Sequence, residues 1–135
     1  MALTRESIMA APVFEHFLMS MVGDVAVVEL FTEEIYSPAI AQSLGQELSR
    51  VAAQEWARRL LVNFRNVKFL NSTGFAVLFK LVKQAKDDGR VVKMCEMAEP
   101  VLLGAQIVGL NQIADVHATE AEALAAFKKS PAVGA

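Results

Sequence analysis

Asn71-Ser72-Thr73-Gly74 is the stretch whose residue types could do chemistry. Two adjacent hydroxyls follow a short apolar stretch and precede a strong helical pattern. Asn and Ser are preferred helix N-caps, because their side-chain oxygens accept the first free backbone N–H groups. The turn therefore sets Ser72 and Thr73 at the positive end of a helix, where free N–H groups and the macrodipole favour anions. The glycines and lysine of a P-loop are missing, so a nucleotide site is a poor reading of this turn. Ser72 by itself also reads as an ordinary helix cap. A phosphate attached there would add about −1.5 to −2 charge, which a helix N-terminus tolerates.

The remaining reactive side chains are scattered. His16 and His117 fall in different elements, and neither has an evident Ser or Asp partner by spacing. Histidine catalysis requires an oriented neighbour, so both read as structural or surface residues. Cys95, the single cysteine, lies in an apolar run and reads as a buried, inert thiol. One cysteine excludes an internal disulfide and a CxxC metal or redox site. Glu33-Glu34 reads as a solvated acidic loop, since no further ligands are spaced around it. No catalytic residue, metal site or cofactor is expected, and the chain does not read as an enzyme.

The turn needs a strand before it and a helix after it. Leu60 to Phe64 is a mostly apolar run too short for a typical helix, which predicts a central buried strand. Arg65-Asn66 breaks it, and Val67 to Leu70 leads into the turn. The following helix should run to about Asp88, with Leu78, Leu81, Val82 and Ala85 as its core stripe and Gly89 as its left-handed stop. Phe75 and Phe79 flank that stripe on the side nearest the turn, and at least one of them is expected to be partly exposed. Upstream, Val13 to Val22 and Val25 to Phe31 read as strands joined at Gly23-Asp24, a hairpin. Thr32 to Tyr36 is read as a loop. Ser37-Pro38 opens a helix with Ile40, Leu44, Leu48 and Val51 on one face, ending near Gln54. Downstream, Val91 to Cys95 is a strand parallel to Leu60–Phe64. Pro100 starts a helix with Val101, Leu102, Ala105 and Val108 inside, stopped by Gly109. Ile113 to Val116 reads as a short edge strand. Thr119 and Glu122 form a capping-box pattern, and Leu124 and Phe127 sit on the last helix. A hairpin followed by alternating helices and strands predicts an α/β fold with a mixed sheet of four to five strands and about four helices.

Val67-Lys68-Phe69-Leu70-Asn71-Ser72-Thr73-Gly74-Phe75 resembles the signature of the STAS family, the sulfate-transporter and anti-sigma-factor-antagonist domains. That signature is an apolar residue, Asp-Ser-Ser/Thr-Gly and another apolar residue. Position 71 carries Asn where the family usually has Asp, and of the family's Gly-Glu-Leu-Asp-like loop only Glu33 is matched. The resemblance spans roughly Val13 to Phe127 and implies a STAS fold. It also implies phosphorylation at Ser72, with Thr73 as second choice, by an anti-sigma factor of serine-kinase type. Partner contact would then centre on Asn71, Ser72, Thr73, Gly74, Phe75 and Phe79. The alternative reading is a non-phosphorylated STAS scaffold, a subunit of a larger signalling or lipid-transport assembly.

Composition bounds the rest. At 135 residues the chain is read as one domain, residues 13–127, with an N-terminal arm at 1–12 and a tail at 128–135. With 54% hydrophobic residues, a sizeable core can form. A net charge of −2 argues against nucleic acid or an anionic membrane as the main partner. No apolar run is long enough for a membrane span, and no signal peptide is evident, so a cytoplasmic protein is expected. A homodimer is left open.

Overall fold

The computed structural model describes residues 14–129. The expected arm at 1–12, Val13, and positions 130–135 of the expected tail lie outside the described residues. In chain order the elements are β1 (Phe17–Val22), β2 (Val25–Leu30), β3 (Glu34–Ile35), α1 (Pro38–Ala52), β4 (Arg59–Asn63), β5 (Phe69–Leu70) and α2 (Ser72–Asp87). After these come β6 (Val91–Cys95), α3 (Glu99–Val108), β7 (Asp115–His117) and α4 (Glu120–Lys129). Five strands form one sheet in the order β1-β2-β4-β6-β7, with β1 antiparallel to β2 and the others parallel. β3 and β5 pair separately, in parallel.

The apolar runs are continuous because the central strands are covered on both faces. Ala26, Val28, Leu60, Val62, Val92 and Met94 face a large core shared with α1, α2 and α3. Their neighbours Val25, Val27, Leu61 and Cys95 face the other way and are sealed by Ala123 and Phe127 of α4. The alternation of period two thus separates two cores from one unbroken hydrophobic run. The expected stripe on α2, Leu78, Leu81, Val82 and Ala85, is buried throughout.

Several boundaries move for local reasons. β1 begins at Phe17 because the amides of Glu15 and His16 donate to the Glu47 carboxylate instead of joining the sheet. The stretch expected as a plain loop, Thr32–Tyr36, contains β3. α1 stops at Ala52, two residues short of expectation, and the Arg90 guanidinium covers the carbonyls of Ala53 and Gln54 beyond it. In α3 only Val101 and Ala105 of the four expected inward residues are buried, while Leu102 is half-buried and Val108 exposed. β7 starts later than expected, after a 3-10 turn at Leu110–Gln112. Lys128 and Lys129, expected in the tail, continue α4.

Candidate functional site

The turn before α2 is held from two directions. The amides of Lys68 and Phe69 both donate to the Glu33 carbonyl, at 2.7 and 3.1 Å. β5 then pairs with β3 in the register Glu34 with Phe69 and Ile35 with Leu70. The Asn71 amide donates onward to the Ile35 carbonyl. The chain therefore reaches Asn71 already fixed against the segment that precedes α1.

Asn71 is the cap of α2. Its backbone is extended, and its Oδ1 accepts the Gly74 N–H at 3.2 Å. The other end of the same amide, Nδ2, donates to the Tyr36 carbonyl at 3.0 Å. Aspartate could perform the first role but not the second, because a carboxylate only accepts. Asn71 thus ties the helix start to the β3 segment, a physical use for the residue that departs from the family signature.

Ser72 and Thr73 occupy the first two helical positions and are both exposed. Neither hydroxyl has a hydrogen-bond partner among the described residues. Ser72 is therefore not the cap, and its hydroxyl is available to solvent at the positive end of a sixteen-residue helix. Gly74 is buried for a steric reason. A Cβ placed there would lie 2.8 Å from the Ile35 carbonyl oxygen and collide with a Leu70 methyl.

The two phenylalanines differ. Phe75 is buried, and its ring packs where Gly104 of α3 leaves room. Phe79 is half-buried at the margin of the core, which meets the expectation that at least one ring is partly exposed. The aromatic pair that the sequence did not single out is Tyr36 with Phe69, edge to face at 6.2 Å and each 50% exposed. Its only sequence signal was that the apolar stretch before the turn is too short to be buried at every position.

Elsewhere most of the reactive groups are occupied in holding the fold, although the His117 Nε2 is buried without a hydrogen-bond partner among the described residues. His16 bonds through Nδ1 to the Thr32 hydroxyl at 2.8 Å and through Nε2 to the Ser43 hydroxyl at 3.1 Å. The partners that its sequence neighbourhood lacked are supplied by β2's exit and by α1, and together they clamp the start of β1. The His117 backbone stands beside Cys95 in the register of β6 with β7. Burial, reinforced by Glu120 and Glu96, pushes the Cys95 thiol up to about 12, so it stays protonated and unreactive. Glu33 pairs with Lys68 at 3.5 Å. No group of three or more His, Cys, Asp or Glu among the described residues could hold a metal ion.

The model of the STAS domain family matches residues 22–123. The chain belongs to the STAS family. Solved structures agree in fold. An anti-sigma-factor antagonist (STAS) domain protein from Planctomyces limnophilus superposes with a TM-score of 0.71 at 17% identity, covering 82% of this chain and 95% of that one. The Bacillus cell fate determinant SpoIIAA, in its phosphorylated form, superposes with a TM-score of 0.62 at 20% identity, covering 82% and 98%. The murine anion transporter Slc26a9 contains a similar unit, with a TM-score of 0.70 at 14% identity, covering 82% of this chain and 19% of that one. No curated protein sequence matches the chain. Among the described residues no helix is long and apolar enough to cross a membrane.

Proposed function

We propose that this chain is a cytoplasmic protein-binding module of the anti-sigma-factor-antagonist kind, which binds an anti-sigma factor of serine-kinase type and is switched at Ser72. The observation that carries the reading is the state of Ser72. It stands at the first hydroxyl of the family signature, exposed, at a helix N-terminus, with the capping duty taken by Asn71. A hydroxyl without a structural task can be modified without loss of the fold. The added charge is favoured by the helix end, so phosphorylation acts on a docked partner through desolvation and like-charge repulsion. Thr73, equally exposed, is the second acceptor. The contact surface centres on Asn71, Ser72, Thr73 and Phe79, with Gly74 and Phe75 shaping it from beneath.

The test is incubation with a serine-kinase-type anti-sigma factor and ATP, followed by intact mass and site mapping. Binding is then compared for the parent, Ser72→Ala and Ser72→Asp, with thermal melts as the folding control. Ser72→Ala should bind and resist modification, whereas Ser72→Asp should fold but bind less well. Equal binding by both variants, with no phosphate at Ser72 or Thr73, would remove the switch. One observation favours a second reading, a non-phosphorylated scaffold: the Asn71 amide is committed to Tyr36, so the usual carboxylate beside the acceptor serine is absent.

A further inference from the structure

α1 and α2 lie side by side on one face of the sheet, and between them runs an open groove of about 530 Å³. Small and apolar residues make its floor: Ala41, Gly45, Val77 and Leu81. Its walls carry Gln42, Gln46, Arg50, Lys80 and Gln84, and no Asp or Glu lines it. Arg50 and Lys80 are exposed, and neither forms an ion pair among the described residues.

The absence of acid here is a property of both helices. α1 contains one carboxylate, Glu47, which points away from the groove and accepts the amides of Glu15 and His16. α2 carries Lys80, Lys83 and Lys86, and its one carboxylate, Asp87, stands at its last residue. The whole chain has a net charge of −2, so this basic helical face is set against acidic surface elsewhere. Both helices connect parallel strands of one sheet, so their N-termini lie at the same end, and their positive dipole ends reinforce each other there.

The geometry points to an acidic amphipathic segment of the partner protein as the occupant of this groove: apolar side chains on the small-residue floor, carboxylates against Arg50 and Lys80. This names the chemistry of a partner docking along the Thr73 side of the turn proposed above and rests on that reading. It also gives modification at Thr73, the second acceptor, a physical route to the groove. Thr73 precedes Lys80 by seven residues, about 20° short of two full turns, and so lies in line with the groove roughly 10 Å from Lys80 along the axis. Ser72, one residue earlier and about 100° around the helix, stands at the same helix end but off the line of the groove. A phosphate at Thr73 sets negative charge in line with a groove whose occupant is itself negative.

The experiment titrates isotope-labelled full chain with a 16-residue amphipathic helical peptide of Leu and Glu, followed by amide chemical shifts at low salt. A peptide with Gln in place of every Glu and a single-stranded RNA oligonucleotide are run in parallel. The Leu-Glu peptide is expected to shift the amides of Gln42, Gly45, Gln46 and Lys80. The Gln peptide should bind about tenfold more weakly, and the RNA should leave the groove unshifted. Arg50→Gln with Lys80→Gln, two exposed changes that spare the core, should weaken the Leu-Glu peptide by about tenfold, with Arg50→Glu and Lys80→Glu weakening it further. Equal affinity of the two peptides, unchanged affinity of the double variant, shifts mapping elsewhere, or RNA occupying the groove would each overturn the proposal. Because the titration uses unmodified protein, its failure leaves phosphate acceptance at Ser72 untouched. A Ser72 that accepts no phosphate leaves the titration untouched in turn.

Discussion

Replacing Asn71 and Ser72 in turn separates the residue that builds the turn from the residue that is free to signal. Asn71→Ala removes the oxygen that accepts the Gly74 N–H and the amide that donates to the Tyr36 carbonyl. Loss of an N-cap costs about 0.5–2 kcal/mol, and a typical hydrogen bond contributes about 0.5–1.5 kcal/mol more. Together they predict a loss of roughly 1–3.5 kcal/mol, a large fraction of the roughly 5–15 kcal/mol of a typical domain. Asn71→Asp keeps the acceptor and adds a charge that the helix end favours by about 0.3–1 kcal/mol. It loses the donor and turns a carboxylate oxygen toward a carbonyl, so its net loss should be small, below about 1 kcal/mol. Ser72→Ala removes a hydroxyl with no partner among the described residues and should stay within about 0.5 kcal/mol of the parent. Urea denaturation of the four proteins, fitted with a common slope, gives the ranking directly. The expected order of stability is parent and Ser72→Ala together, then Asn71→Asp, then Asn71→Ala. If Ser72→Ala falls as far as Asn71→Ala, Ser72 is the cap, and the argument that its hydroxyl is free for modification fails.

Gly74→Ala should destabilise by about 1–2 kcal/mol, since a Cβ 2.8 Å from a backbone carbonyl cannot be relieved by a side-chain rotation; an unchanged melting temperature would contradict this. Gly45→Ala should do the opposite. Its Cβ meets Val77 methyls at an ordinary 3.5 and 3.7 Å, and a helix-interior glycine costs about 1 kcal/mol, so the melt should rise. The Lys93 ammonium, nearly buried, donates to the exposed Asp115 at 2.6 Å, and that hydrogen bond holds the Asp115 carboxyl below its usual value. A depressed carboxylate contributes stability that is present above its unfolded pKa of about 4 and lost as pH falls through the folded value. Asp115→Asn should therefore be less stable than the parent at pH 7, and urea melts should show the gap closing as pH falls below the unfolded value of about 4.

Much of this protein was legible in the sequence because its signals are local. The central strand at Leu60–Phe64, the α2 core stripe, the Gly89 and Gly109 stops and the Thr119 cap each depend on a few neighbouring residues. Gly89 and Gly109 do adopt left-handed backbones, and Thr119 Oγ1 does accept the Glu122 amide. The match at Asn71–Gly74 located the candidate site for the same reason: a strand, a cap and a helix start are written consecutively.

What the tertiary structure decided were the properties that depend on residues distant in the chain. Sequence could not choose between Asn71 and Ser72 as the cap, because the choice is made by Tyr36, thirty-five residues away, whose carbonyl holds the Asn71 amide. It could not rank Phe75 against Phe79, because burial of Phe75 depends on the space left by Gly104 on another helix. It placed His16 without partners, because Thr32 and Ser43 arrive only when β2 and α1 pack. The groove between α1 and α2 is of the same kind. Each helix by itself shows a lone exposed cation or a few lysines. Only the parallel β2-β4-β6 sheet lays the two faces together with their positive ends aligned. Local backbone preference and hydrophobic period act over a handful of residues, whereas burial, partnering and electrostatic field are sums over neighbours that the fold alone brings near.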